Sequence, residues 1–197
     1  MITSTEAEGR ILQAAQTEFE MKGYNGARMQ AIADTAGISK ASLHYYFRSK
    51  DKLFDKIFEQ ALLEYLPIVQ TWADDSLKWD EKVRRFTDQL FVFIRNGKML
   101  FIIREINRNP ELLSVHLKHK KKPNSLVSYF DNLMEEGAIR KTDARLLYIF
   151  LNSLCCFPIV NREMFQTALR MSSKEYDELM QHYARIAADF FINAIKK

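Results

Sequence analysis

The chain has 197 residues, a formal net charge of +4 at pH 7 and a sequence pI near 9.0. Apolar residues make up 47% of it and glycine and proline are few, which excludes a largely disordered chain and favours long helices over turn-rich sheets. The mild basic charge is compatible with a polyanionic partner but does not require one. Cys155 and Cys156 are the two cysteines of the sequence, so no disulfide framework is available and we expect a cytoplasmic protein.

Neither export nor a membrane partner is expected from the apolar pattern. Residues 1–10 are polar and acidic, unlike the apolar centre of a signal peptide. No stretch of the sequence reaches the roughly 20 apolar residues that a membrane-spanning helix needs.

Four helices are predicted in the N-terminal third. Thr5 and Glu8 have capping-box spacing, so the first helix begins there and extends to Gly23. A short helix follows over residues 29–36, with a sharp turn at Gly37. Ser39 and Ser49 then stand where they cap a third and a fourth helix. The predicted core faces of the four helices comprise Ile11, Ala14, Ala15, Phe19, Ile32, Ala33, Ala36, Leu43, Phe47, Leu53, Phe54, Ile57, Phe58, Ala61 and Leu62.

Longer and more aromatic helices are predicted after residue 66. Apolar periodicity and capping signals place them at about 80–96, 98–108, 110–119, 123–136, 142–157 and 173–195. Ser172 and Glu175 form a second capping box before the last of them. The fold class is therefore all-α. We expect a helix-turn-helix domain over residues 1–48, a connecting helix over 49–66 and a larger helical domain over 67–197.

A helix-turn-helix motif is indicated by three residues with the required spacing. Gly37 supplies the turn, Ala33 lies four positions earlier where the two helices cross closely, and Leu43 lies six positions later on the core side. This arrangement lets the second helix enter the major groove of DNA.

Residues 23–53 read GYNGARMQAIADTAGISKASLHYYFRSKDKL and resemble the TetR/AcrR family of bacterial regulators. The resemblance implies a three-helix DNA-binding domain, followed by a helical domain for ligand binding and dimerisation. It also implies a homodimer on a palindromic double-stranded DNA operator, which usually represses transcription and leaves the DNA when a small-molecule effector binds. Ala27 and Arg28 depart from the pattern, since hydroxyl residues are common at these positions, and His44 stands where Tyr is commoner.

Carried over by position, the resemblance places Lys40, Ala41, Ser42, His44 and Tyr45 on the recognition helix, facing base edges and nearby backbone. Tyr46 and Lys50 match phosphate-contacting positions, and their side chains are suitable donors to phosphate oxygens. Arg28 and Gln30 are assigned to a backbone contact by the preceding helix.

The C-terminal domain carries two further predictions. Apolar residues that repeat at helical steps predict a four-helix dimer interface comprising Leu147, Leu151, Leu154, Tyr176, Leu179, Tyr183, Ile186 and Phe190. The resemblance places a ligand chamber among the middle helices, with the candidate lining residues Phe86, Leu90, Phe93, Phe101, Arg104, Tyr129, Phe130, Tyr148 and Asn152. For both sets the alternative is an ordinary core.

Other functions find little support in the sequence. His116 and His119 have a spacing that suits a metal, but the basic run over residues 118–122 opposes a cation. The apolar neighbours of Cys155 and Cys156 favour packing over redox sensing. Short enzyme signatures are absent, so neither a catalytic role nor a cofactor is expected. The alternatives to a ligand-responsive repressor are a helical ligand-binding protein or enzyme with an incidental helix-turn-helix, and an activator that needs no inducer.

Overall fold

The structure is a computed structural model that describes residues 4–117 and 126–197. Within these ranges every regular element is helical, apart from an isolated bridge between Ile139 and Lys196, which confirms the predicted all-α class. The helices are α1 (Ser4–Gly26), α2 (Met29–Ala36), α3 (Lys40–Tyr46), α4 (Lys50–Gln70), α5 (Trp79–Arg95), α6 (Lys98–Arg108), α7 (Glu111–Leu117), α8 (Leu126–Glu135), α9 (Ala144–Val160), α10 (Arg162–Leu169) and α11 (Ser173–Ile195), with a 3-10 turn at Thr71–Ala73.

Side-chain caps set the helix starts that the sequence predicts best. At α11 the Ser172 hydroxyl accepts the Glu175 amide at 3.3 Å, and the Glu175 carboxylate accepts the Ser172 amide at 2.8 Å. At α9 the capping residue is Asp143, whose carboxylate accepts the Arg145 amide at 2.9 Å. Helix α10 was not predicted, because Asn161 provides no side-chain cap at its start.

The chain divides into two compact units. The N-terminal unit comprises residues 4–64 and 97–117 of the described ranges, and the C-terminal unit comprises 65–96 and 126–197. The sequence-based boundaries assign α6 and α7 to the C-terminal domain, whereas the structure groups these helices with α1–α3 and the first part of α4. The predicted connecting helix also continues beyond residue 66, through Pro67 to Gln70.

An aromatic cluster holds the N-terminal unit together. Phe54 of α4 packs edge-on against Phe19 of α1, with the ring centroids 5.3 Å apart, and against Phe101 of α6 at 5.8 Å. Phe58 contacts Phe101 at 6.0 Å. All four rings are buried, so α6 is part of the core that supports the helix-turn-helix.

The C-terminal unit has an aromatic core of its own, built mainly around α5, α8 and α11. Trp72 contacts Phe86 and Phe130, with ring centroids 5.0 and 5.9 Å apart, and Phe130 contacts Phe191 at 6.0 Å. Among the described residues, no single helix is both long and apolar enough to cross a membrane. The sharply bent pair α9 and α10 meets that test only when its two helices are counted together.

Candidate nucleic-acid interface

The turn between α2 and α3 has the geometry that its sequence predicts. Gly37 adopts left-handed angles (φ 66°, ψ 38°), which L side chains rarely adopt. Its amide donates to Asp34 O at 3.1 Å, and the next amide, that of Ile38, donates to Ala33 O at 3.0 Å. These bonds pair the last carbonyls of α2, so the chain reverses sharply and α3 starts in a defined direction.

Helix α3 is anchored on one side and open on the other. Ser39 caps it, since its hydroxyl accepts the Ser42 amide at 3.0 Å. Leu43 and Phe47 are buried, which fixes the rotation of α3 against the rest of the unit. The opposite side exposes Lys40, Ala41, His44 and Tyr45, with Tyr45 74% exposed. The structure thus brings these four predicted contact residues onto one free surface.

The other predicted members of this surface are less free. The hydroxyl of Ser42 lies 2.8 Å from that of Ser39, so it already has a partner at the helix start. Tyr46 is half-buried and packs edge-on against Tyr45, with the ring centroids 5.6 Å apart. Arg28 and Gln30 are exposed at the start of α2, and the side-chain amide of Gln30 donates to the Asp34 carboxylate at 2.7 Å.

Lys50 is held at the first residue of α4 by Tyr24. Its ammonium lies 4.7 Å from the centre of the Tyr24 ring and 3.5 Å from the Asn25 carbonyl oxygen. The Tyr24 hydroxyl donates to Asp51, and this bond, with partial burial, raises the pKa of Tyr24. Tyr24 itself is half-buried and positions a predicted phosphate ligand. Sequence reasoning missed this role because the signal is a contact between residues 26 positions apart.

The predicted ligand-chamber residues fall in both units. Phe101 and Arg104 belong to the N-terminal unit, where Phe101 is core and Arg104 bonds the carbonyls of Phe19 and Glu20. For these two residues the structure favours the ordinary-core alternative, and the chamber itself stays a prediction. In the C-terminal unit Phe86, Leu90, Phe93 and Phe130 are buried, Tyr129 and Asn152 are half-buried, and Tyr148 is exposed.

The predicted dimer residues are likewise split. Leu147, Leu151 and Tyr176 are buried within the C-terminal unit, where the Tyr176 hydroxyl donates to Pro158 O at 2.7 Å. For these three residues the burial agrees with the ordinary-core alternative to a dimer interface, because α9 and α11 are apolar on more than one side. Leu154 and Tyr183 are half-buried, and the Tyr183 hydroxyl donates to Leu154 O at 3.0 Å.

The remaining predicted dimer residues are Leu179, Ile186 and Phe190. They lie on an open apolar face formed by α9, α10 and α11. Ile186 is 47% exposed and Phe190 is 64% exposed. A groove of about 690 Å³ runs through this face. We call it the apolar groove, and its lining includes Phe150, Leu154, Phe157, Phe165, Leu179 and Phe190.

The alternative sites lie partly within the described residues. His119 and the basic run over 118–122 lie outside the described residues, and the Nδ1 of His116 donates to Leu112 O at 2.9 Å. No metal-binding cluster of His, Cys, Asp and Glu occurs among the residues that the structure describes. Burial raises the pKa of the Cys155 thiol to about 12 and that of Cys156 to about 11, so both thiols stay protonated near neutral pH.

Comparisons with known proteins find bacterial transcriptional regulators. A profile described as bacterial regulatory proteins, tetR family, matches residues 11–57. The uncharacterized HTH-type transcriptional regulator YhgD of Bacillus subtilis is 27% identical over 147 residues, which is 73% of this chain and 77% of that protein. The biofilm operon icaADBC HTH-type negative transcriptional regulator IcaR of Staphylococcus epidermidis is 25% identical over 128 residues, 62% of this chain and 68% of its own.

Solved structures show the same fold. The crystal structure of AibR in complex with isovaleryl coenzyme A and operator DNA superposes with a TM-score of 0.66 at 21% identity. The superposition covers 78% of this chain and 86% of AibR.

Proposed function

We propose that the chain is a DNA-binding transcriptional regulator of the TetR family, a ligand-responsive repressor that binds a palindromic operator as a homodimer. The observation that carries this proposal is the free side of α3. Lys40, His44 and Tyr45 project from a helix whose other side is fixed by buried Leu43 and Phe47. A rigid helix that presents cationic and hydrogen-bonding side chains is what base reading in the major groove requires.

The apolar groove supports the homodimer. An exposed apolar face with large side chains such as Ile186 and Phe190 is a candidate interaction site on a folded protein. A palindromic operator needs two recognition helices related by a two-fold axis, and a self-complementary face on each subunit provides that symmetry. We therefore propose that the groove and the exposed residues Ile186 and Phe190 are covered by the same face of a second copy.

Release by a small molecule is proposed from the aromatic core of the C-terminal unit. Lys82 is buried there with its ammonium 4.7 Å from the centre of the Tyr129 ring and 3.1 Å from Trp72 O. The indole N–H of Trp72 is also buried, without a hydrogen-bond partner among the described residues. Two donors amid aromatic rings suit an amphipathic effector with an acceptor oxygen. AibR, which binds a coenzyme A thioester and operator DNA, is a precedent within the fold.

Thermodynamic linkage sets the condition for release. A ligand removes the protein from DNA only if it binds the DNA-incompetent state more tightly than the competent one. We expect amphipathic carboxylates and thioesters to weaken operator binding, and Lys82→Met to abolish that response while leaving the affinity for DNA unchanged.

Selection from a random-sequence duplex library tests the proposed function. The purified protein should enrich a duplex with two inverted half-sites about one helical turn apart, or a multiple of that spacing. This enriched DNA is called the selected duplex below. Enrichment of no sequence at all would contradict the proposal, and enrichment of a single unrepeated site would contradict its dimeric part.

A further inference from the structure

Helix α1 is broken near its end, and side chains of α6 satisfy the backbone groups around the break. Gly23 adopts φ 67° and ψ 176°, which interrupts the helix. The Tyr24 amide donates to Glu105 Oε1 at 3.1 Å. The Arg104 guanidinium donates to the carbonyls of Phe19 and Glu20, in the last turn before the break. Polar backbone groups that leave a helix need such partners, and a cation suits a helix C-terminus.

Glu105 is the centre of this arrangement. Its side chain is 1% exposed, and its carboxylate also accepts Nε of Arg104 at 3.2 Å and Nε of Arg108 at 3.0 Å. A buried carboxylate is retained only where charges and hydrogen bonds compensate for the lost water. We call the set Glu105, Arg104 and Arg108 the α6 clasp.

The α6 clasp packs tightly against the break in α1. A Cβ added at Gly23 would lie 3.2 Å from Glu105 Oε1 and 3.3 Å from Arg104 Nε, in a backbone conformation that already disfavours a side chain. Gly23 is therefore required both by its own angles and by the approach of α6.

Residues just beyond the break hold a predicted DNA ligand. The Arg108 guanidinium lies 4.6 Å from the centre of the Tyr24 ring, which also contacts the Lys50 ammonium. Arg108 Nη1 donates to Asn25 Oδ1 at 3.3 Å, and the Asn25 carbonyl lies next to Lys50. A continuous path of contacts thus leads from Glu105 through Tyr24 to Lys50.

From these contacts we infer that Glu105 is a positioning residue for DNA binding, which sets the place of Lys50 by fixing the break in α1. The inference rests on the proposed DNA contact of Lys50. It makes affinity for DNA depend on a carboxylate more than 50 positions away in sequence from the recognition helix.

A double-mutant cycle on the selected duplex tests the inference. Glu105→Gln keeps the shape of the side chain and an acceptor for Tyr24 but removes the charge that holds both arginines. We expect it to weaken binding by about tenfold, since hydrogen bonds to charged groups contribute more than neutral ones. In a Lys50→Ala background the same change should have little further effect, because coupled residues are not additive. A residue that served stability alone would show an equal effect in both backgrounds.

Arg108→Met provides a second variant in case Glu105→Gln does not fold, because Arg108 is more than one-third exposed and Glu105 keeps its ion pair with Arg104. It should also weaken binding and couple to Lys50→Ala. Glu64→Gln is the matched control, since Glu64 pairs with Lys98 in the same unit, outside the clasp. If Glu105→Gln and Arg108→Met bind the selected duplex like Glu64→Gln, the inference is overturned while the proposed function stands. If the wild type selects no duplex, the proposed function itself fails.

Discussion

Lys40 begins the recognition helix, and Lys50 begins the helix that follows it. An ammonium bound to phosphate contributes to affinity for any sequence, whereas a side chain at a base edge contributes to sequence preference. Lys50→Ala should therefore weaken binding to all duplexes and lower the dependence of log affinity on log salt by about one. Lys40→Ala should change which sequence is preferred. Titrations of each variant at several salt concentrations separate the two roles, and an unchanged salt slope for Lys50→Ala would refute the phosphate assignment.

The left-handed conformation of Gly37 predicts the effect of a single substitution on stability. An added Cβ at Gly37 meets no atom nearer than 3.7 Å, so Gly37→Ala tests the left-handed backbone without a clash. The substitution should lower the free energy of unfolding by about 1–2 kcal/mol, measured with urea. Gly9→Ala is the control, because Gly9 is exposed within α1 with open space around it. That variant should instead gain about 0.5–1 kcal/mol. A loss at Gly9 equal to that at Gly37 would contradict the argument.

Side chains whose roles follow from local pattern were predicted from the sequence. Leu43 is buried and Tyr45 exposed because they lie on opposite sides of one short helix, which spacing alone reveals. The roles of Glu105 and Tyr24 were not predicted, because they depend on a contact between residues 81 positions apart. Lys82 was missed as well, since a lysine with its ammonium over an aromatic ring has no sequence signature.

At the scale of the element, the start of α9 carries a pH-dependent cap. Hydrogen bonds from the Arg145 side chain and amide hold the pKa of Asp143 at about 2, below its usual value near 4. Because this pKa is lower in the folded state than in the unfolded chain, the ionised Asp143 stabilises the fold above pH 4. That stabilisation is lost as the pH falls toward 2. Asp143→Asn keeps the cap but removes the charge. The difference in Tm between wild type and variant should be present at pH 6 and should disappear by pH 2. A difference that does not vary with pH would exclude the charge as its cause.

Helix boundaries were predictable where a capping residue or a left-handed glycine marks them. The bounds of α2, α6 and α11 match their predicted ranges to the residue. Helix α10 has no such mark, and Arg170 rather than glycine ends it in the left-handed conformation. The assignment of α6 and α7 to the N-terminal unit was not predictable, because it depends on packing such as that of Phe101 on Phe54.

For the whole molecule, the apolar groove predicts a dimer in solution. Ile186→Asp places a charge on the exposed apolar face, so burying that face against a second copy becomes unfavourable. Sedimentation at micromolar concentration should show a dimer for the wild type and a monomer for the variant. Met21→Asp is the control, since Met21 is an exposed apolar residue of the N-terminal unit and does not line the groove. A wild-type monomer, or a dimer that survives Ile186→Asp, would contradict the proposed interface.

Sequence-specific DNA binding through α3 is the central claim, and the ratio of affinities for the selected duplex and a shuffled duplex measures it most directly. For the wild type this ratio should be about 10³ or more at physiological salt. Tyr45→Ala should lower the ratio by about tenfold, because the loss of a good base contact costs 1–3 kcal/mol, while binding to the shuffled duplex changes little. A wild-type ratio near one, or a ratio that Lys40→Ala and Tyr45→Ala both leave unchanged, would show that this helix does not read the operator.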